Sequence, residues 1–185
     1  MIFGMSLSTF TVVHVVLSLV GIASGVLVLL RPSASPKAWG LTVLFLATTL
    51  AASVTGLLYL VAFPRLRLGH GIGVASLLVF VPVLLALCRH RLAGPWGGIY
   101  VAGAATLLYL NAFIAVMQAF AKIGFLRALP VTSIGSPSFL AHLLVLAISV
   151  WLAFHGFAHL QPGQSATRQA RPRRTKPLRV ADRWG

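Results

Sequence analysis

The chain has 185 residues, of which 58% are hydrophobic and only 9% are charged, and its formal net charge is +14. This composition is that of a membrane protein and lies far outside the range of soluble domains. Asp182 is the single acidic residue, which excludes carboxylate dyads, acid-rich metal sites and carboxylate proton relays. The basic residues lie between and after apolar segments, so we expect contact with the lipid bilayer and no nucleic acid partner.

The first apolar segment, residues 9–30, has no charged residue and is long enough to cross a bilayer as one helix. Its small and polar residues recur at steps of three and four, which places them on one stripe of that helix: Thr11, His14, Ser18, Gly21 and Gly25. Such a stripe is typical of the side that packs against other helices. No basic residue precedes the segment, so we predict a mature helix and not a cleaved signal.

Four further segments have a similar length and composition, and they comprise residues 41–63, 70–88, 97–121 and 139–160. Each is close to the roughly 20 residues that a bilayer requires. Pro82 lies inside the third segment and predicts a kink. The longest connection, residues 122–138, has room for a short interfacial helix. The sequence therefore predicts an all-α, polytopic bundle of about five transmembrane spans, formed by residues 1–160.

Residues 161–185 have a different composition, with seven basic residues between Arg168 and Arg183. This tail lacks the apolar content to fold, so we predict that it is disordered, cytosolic and in contact with anionic lipid headgroups through residues 168–183. With the tail inside, the first and third connections are also inside, which gives eleven Lys and Arg inside and four outside. This distribution predicts an outer N-terminus and an inner C-terminus.

The predicted topology brings several polar residues to one layer near the outer surface. His14, His70 and His142 lie within about one and a half turns of that surface, Tyr59 and Gln118 lie at the same level, and the Asn111 amide lies deeper. Three interpretations remain open: a polar layer that packs the helices, a pocket for a small molecule, quinone or lipid, and a metal or haem site.

A haem or copper site would depend on the three histidines. Two neutral imidazoles on different helices can ligate a haem b iron axially, and Arg65 and Arg67 in the adjacent outer turn could pair with propionates or another anion. Copper could use the same histidines with Met5 or Met117. Zinc is less favoured, because neither cysteine nor carboxylate ligands are expected nearby.

Two pairs of residues with i, i+4 spacing need separate interpretations. His155 and His159 have the i, i+4 spacing of a chelating pair, but they lie on a different face from His142, and we interpret them as interfacial histidines. Gly21 and Gly25 form a GxxxG pair, which is a packing signal. It serves either contacts within the bundle or contacts with a second copy or another membrane partner.

Catalysis has little support in the sequence. Ser18 and His14 have the spacing of a hydrogen-bonded pair on one helix, but no carboxylate is available to orient the histidine, and no GxSxG motif occurs. Cys88 is the only cysteine, so an intrachain disulfide is excluded. The sequence favours a non-enzymatic protein whose polar layer packs the bundle or binds a small partner. A haem- or copper-binding electron-transfer protein is the alternative.

Four runs of the chain, TVVHVVLSLVGIASGVLVLL, TTLAASVTGLLY, HGIGVASLLV and IYVAGAATLLYLNAF, resemble a group of small bacterial multi-spanning membrane proteins of uncharacterised function. The resemblance covers residues 6 to about 160 and leaves out the basic tail. It implies a multi-pass protein of the bacterial inner (plasma) membrane. It implies no activity, cofactor or site residue.

Overall fold

The computed structural model describes residues 4–31, 36–62, 68–129 and 134–159. It contains five long helices, α1 (Leu7–Leu30), α2 (Pro36–Ala62), α3 (Leu68–Leu84), α4 (Pro95–Lys122) and α6 (Pro137–His159), and one short helix, α5 (Gly124–Arg127). The five long helices, with α3 extended by the π-helical turn Leu85–Arg89, are long and apolar enough to cross a membrane. For the described residues, the prediction of an all-helical fold with five helices that are long and apolar enough to span a membrane is therefore confirmed.

Local sequence signals determine several helix ends. At the start of α1, the Ser6 side chain accepts a hydrogen bond of 3.1 Å from the Thr9 backbone N–H, which caps one of the free donors of the first turn. α1 ends before Arg31, which has a non-helical conformation, as expected for a residue that precedes a proline. α4 begins with Pro95 directly after Gly94, which has a φ of +55°. Proline is favoured at this position because the first helical N–H has no partner within the helix.

The order of the helices around the bundle follows from their contacts. α1 packs most extensively against α2, and it also contacts α4 and α6, while α3 packs between α2 and α4. Within the described ranges, α1 and α3 do not contact each other, and α2 and α4 touch only slightly. Helices α1 to α4 therefore form a ring, and α6 packs on the outside of this ring against α4 and α1.

The hydrophobic core lies towards one end of the bundle, where α1, α3 and α6 finish and α2 and α4 begin. Its most buried side chains include Leu29, Phe45, Val83, Leu107 and Leu152. Glycines allow close helix contacts at the same end: a Cβ atom on Gly156 would lie 2.9 Å from Val101, and one on Gly103 would clash with Val83. The opposite end has fewer such contacts and contains two cavities.

Both glycines of the GxxxG pair are buried inside this chain. A Cβ atom on Gly25 would lie 2.7 Å from the Phe45 ring, and one on Gly21 would lie 3.0 Å from both Asn111 Nδ2 and Thr49 Oγ1. The pair therefore packs α1 against α2 and α4. Association between copies through these glycines stays a prediction.

Two further features of the sequence have a place in the fold. The connection between α4 and α6 contains the short helix α5, as the length of that connection predicted. α3 runs through Pro82 and continues into the π-helical turn Leu85–Arg89. This π-helical turn was not predicted from the sequence. The basic tail, residues 161–185, lies outside the described residues.

Candidate functional site

A cavity of about 510 Å³ lies between α1, α2, α3 and α4, at the end of the bundle opposite the hydrophobic core. We call it the central cavity. Five of the six residues predicted to form the polar layer line it: His14, Tyr59, His70, Asn111 and Gln118. Its volume is within the range of sites for small molecules, about 300 to 1,000 Å³.

His14 lines the central cavity from α1, and its orientation is determined by Thr55 on α2. The distance between His14 Nδ1 and Thr55 Oγ1 is 2.8 Å. The Thr55 hydroxyl donates its one proton to backbone carbonyl oxygens of its own helix, at 2.7 Å to Ala51 and 3.1 Å to Ala52. Thr55 is therefore the acceptor, and the neutral imidazole carries its proton on Nδ1. The lone pair on Nε2 remains available to a ligand.

Tyr59 belongs to a second polar link between α1 and α2. Its hydroxyl donates to Thr11 Oγ1 at 2.8 Å, and Thr11 donates in turn to the Leu7 carbonyl oxygen at 2.8 Å. The Tyr59 ring makes edge contacts with His14 and Phe10, with centroid distances of 5.7 Å and 5.2 Å. These contacts fix the α1–α2 wall of the cavity before any ligand binds.

The α4 wall contributes amides and a cation. Asn111 Nδ2 donates to the Ser18 backbone carbonyl of α1 at 3.1 Å, which leaves the amide oxygen and a second N–H for other partners. Gln118 and Lys122 follow at spacings of seven and four residues, so they lie on the same face of α4. Lys122 is exposed at the end of α4. Since the residues that line the cavity include neither Asp nor Glu, the site favours neutral or anionic ligands.

His70 lines the central cavity from the first turn of α3 and is 5% exposed. Because α1 and α3 lie on opposite sides of the ring, His14 and His70 enter the cavity from opposite walls. The structure therefore brings together two of the three predicted histidine ligands.

The third predicted histidine, His142, lies in a different place. It lines a second cavity of about 740 Å³ between α4 and α6, which we call the lateral groove. Its ring contacts Phe113, with a centroid distance of 4.4 Å. Met117 lines both the central cavity and the lateral groove. His142 is thus grouped with residues of α4 and α6 and not with the residues of the central cavity.

His155 and His159, near the C-terminal end of α6, make contacts within the bundle. His155 Nδ1 lies 3.3 Å from the Leu29 carbonyl oxygen, so it donates to the last turn of α1, where carbonyl groups lack partners within the helix. The His159 ring contacts the His155 ring at a centroid distance of 4.6 Å. Among the described residues, no group of three or more His, Cys, Asp or Glu side chains could hold a metal ion.

Other predicted ligands lie outside the two cavities or outside the described ranges. Arg65 and Arg67, predicted to pair with propionates or another anion, lie outside the described residues. Met5 lines neither cavity. Cys88 is exposed, and it lies near the opposite end of the bundle.

Sequence reasoning missed several residues of these cavities, among them Lys122 at the central cavity and Phe113 and Arg127 at the lateral groove. The spacing of four residues from Gln118 could have identified Lys122, because it places both on one face of α4. Phe113 carries no comparable signal, since apolar residues occur on all sides of a membrane helix. Comparisons of the chain with protein-family models, curated proteins and solved structures find no match.

Proposed function

We propose that this chain is a non-enzymatic, multi-pass protein of the bacterial inner membrane that holds a small, lipid-soluble molecule in the central cavity. The observation that carries the proposal is the cavity itself, which four helices bound and five predicted polar residues line. A polar layer that served packing alone would satisfy its groups with each other. Here His14 Nε2 is left with a lone pair on the ring that faces this space.

The chemistry of the lining residues specifies the ligand class. His14 Nε2 accepts a hydrogen bond, while the Gln118 amide and the Lys122 ammonium donate. The remaining lining is largely aliphatic and includes Leu110 and Ile114. An apolar ring with hydroxyl groups meets these requirements, so we propose a ligand of the quinol class. Its hydroxyl donates to His14, and its second oxygen accepts from α4.

Binding of a quinol analogue to the purified full-length chain tests this proposal. Titration with decylubiquinol in mild detergent should give one saturable site, and His14→Phe should weaken binding about tenfold, because the ligand hydroxyl loses its acceptor. His159→Phe is the matched control, since His159 is exposed at the C-terminal end of α6, away from the central cavity. This variant should bind the quinol like the wild type. Equal affinity in all three proteins would contradict the proposal.

A haem b or copper protein for electron transfer is the second candidate. It is favoured by His14 and His70, which line one cavity from opposite walls, and by the Nδ1–H of His14, which is held by Thr55 in the way that metal-ligating histidines are commonly oriented. These two side chains would hold the iron of a haem, which would supply one-electron transfer. His142 would not be required.

An absorption spectrum and a metal analysis separate the two candidates. A haem protein should show a Soret band that is lost in both His14→Ala and His70→Ala and is retained in His142→Ala. A preparation that remains colourless and metal-free after supplementation with haem or copper would exclude this second candidate. It would leave the quinol proposal standing.

We further propose that the N-terminus lies outside and the C-terminus in the cytosol, which places the central cavity near the outer surface. Support comes from the distribution of the basic residues, with eleven in the first and third connections and the tail, and four in the other connections. The basic tail would then contact the anionic headgroups of the inner leaflet through residues 168–183.

A further inference from the structure

The lateral groove lies on the outside of the four-helix ring, where α4 and α6 separate. Near the end of α6 these helices are in close contact, because Gly156 lies against Val101 and Gly98 against Phe157. Towards the start of α6 they diverge and leave the groove of about 740 Å³. Leu143 and Leu146 in the groove are 45% and 41% exposed. In a membrane, this surface faces the surrounding lipid.

One buried atom in the groove lacks a hydrogen-bond partner. His142 Nδ1 lies 2.7 Å from the Ser138 carbonyl oxygen, which can only accept, so the ring proton of the neutral imidazole is on Nδ1. His142 Nε2 is therefore an acceptor. It is buried and has no partner within the described part of the chain, and a buried polar atom without a partner is costly. The His142 residue lines the groove, while Nε2 itself has almost no exposed surface, so a small rotation of the ring would bring this acceptor to a hydroxyl or N–H group of a ligand.

One cation in the groove also lacks an obvious counter-ion. Arg127 lines the groove from α5 and is exposed. The only acidic residue of the sequence is Asp182, in the tail, so no carboxylate of the described residues can pair with this guanidinium. A guanidinium binds phosphate well, because its planar donors match two phosphate oxygens. The groove therefore combines a site for an anion with a site for a hydrogen-bond donor.

The apolar part of the groove has the length of a lipid chain within one leaflet. On α4 its lining extends from Tyr109 to Ala121, which corresponds to about 18 Å along the helix axis. One leaflet of a bilayer has a hydrocarbon thickness of about 15 Å. Phe139, Leu143 and Leu146 line the facing side on α6.

We propose that the lateral groove binds one molecule of an anionic glycerophospholipid with free hydroxyl groups, of the phosphatidylglycerol type. Its phosphate pairs with Arg127, the headgroup glycerol folds back so that a hydroxyl donates to His142 Nε2, and an acyl chain lies deeper in the groove along Tyr109 and Leu146. Phosphatidylcholine does not fit, because it has no hydrogen-bond donor and no net negative charge. This site is independent of the ligand of the central cavity.

Native mass spectrometry of the full-length chain with added dioleoylphosphatidylglycerol or dioleoylphosphatidylcholine tests the site. We expect the wild type to retain one phosphatidylglycerol in preference to phosphatidylcholine, and Arg127→Gln to weaken phosphatidylglycerol binding about tenfold. Arg89→Gln is the control, because it removes the same charge from an exposed position near the other end of the bundle. All variants contain the basic tail, so its attraction for anionic lipid is the same in each.

His142→Phe gives a second, independent measurement. The substitution keeps an aromatic ring beside Phe113 and removes the Nε2 lone pair, so it should lower the affinity for phosphatidylglycerol and leave that for phosphatidylcholine unchanged. Equal loss in Arg127→Gln and Arg89→Gln would mean that only total charge matters, and it would overturn the site. Equal retention of both lipids by the wild type would overturn it as well. If His142→Phe does not fold, the comparison of the two arginine variants decides the matter alone.

Discussion

The orientation of His14 depends on the Thr55 hydroxyl, which donates its proton within its own helix. Thr and Ser in helices donate to carbonyl oxygens three or four residues earlier, and Thr55 does so here. Its oxygen can then only accept from a neighbouring helix. The same logic applies to Thr11, which donates to Leu7 and accepts from Tyr59. These residues therefore determine the direction of each hydrogen bond between α1 and α2.

Substitution of Thr55 by Val should weaken both the bundle and the site. Valine has a similar shape but cannot accept from His14 Nδ1–H, so the interhelical bond is lost, at a cost of about 0.6 kcal/mol in the free energy of unfolding. The His14 ring would also lose the contact that orients Nε2, and binding of decylubiquinol should weaken. Reversible unfolding in mixed micelles and the ligand titration measure the two effects.

Thr106→Val is the matched control for this substitution. Thr106 makes the same bond within its helix, 2.9 Å to the Ala102 carbonyl oxygen, but it is exposed and has no hydrogen bond to another helix within the described ranges. Its substitution should leave stability and binding nearly unchanged. Equal effects of the two valine variants would show that the bond within the helix, and not the bond to His14, is responsible.

The close contacts of α1 with its neighbouring helices depend on its glycines. A methyl group on Gly25 would lie 2.7 Å from the Phe45 ring and 3.2 Å from Leu108, and both neighbours are buried. Neither can move without displacing the core. We expect Gly25→Ala to reduce the free energy of unfolding by about 1 to 3 kcal/mol, which is typical of overpacking.

Gly71→Ala provides the comparison for this prediction. Gly71 lies within α3 and is exposed, and a Cβ atom there would meet nothing within 4 Å. Alanine is favoured over glycine in a helix by about 0.5 to 1 kcal/mol, so this variant should be as stable as the wild type or slightly more stable. A similar loss of stability in both variants would argue against the close contact between Gly25 and Phe45.

The helices themselves could be predicted from the sequence, but which helices pack against each other could not. Charged and proline-containing connections mark the ends of each apolar segment, so the expected segment 9–30 closely matches Leu7–Leu30. α2 begins at Pro36, five residues before the apolar segment, because a helix can continue into the headgroup region. The partners of each helix depend on the shapes of facing side chains, as in the contact of Gly25 with Phe45, and hydropathy does not report these shapes.

The same limit explains the outcome for the polar layer. Depth along a helix follows from topology, and the predicted layer includes His14, His70, Tyr59 and Gln118, all of which line the central cavity. It also included His142, because the predicted depth of that residue is the same. Depth does not reveal that α6 packs outside the ring of α1 to α4, which places His142 in the lateral groove.

The molecule as a whole has a tightly packed end and a more open end. Glycine contacts and large apolar side chains fill the bundle around Phe45 and Leu107, whereas the end around His14 and His70 contains the cavities. A ligand can therefore be accommodated without disrupting the part of the bundle that stabilises the fold. The side of the membrane on which the cavities lie depends on the orientation of the chain.

Reporter fusions at two connections test this orientation. With the N-terminus outside, alkaline phosphatase fused after Ser138 should be active, because that connection lies outside, and a fusion after Gly94 should be inactive. Green fluorescent protein at the same two positions should give the reciprocal pattern and serves as the control for expression. The physical basis is the excess of Lys and Arg in the connections that remain in the cytosol. The reverse pattern would place the central cavity near the inner surface, and its ligand would then enter from the inner leaflet.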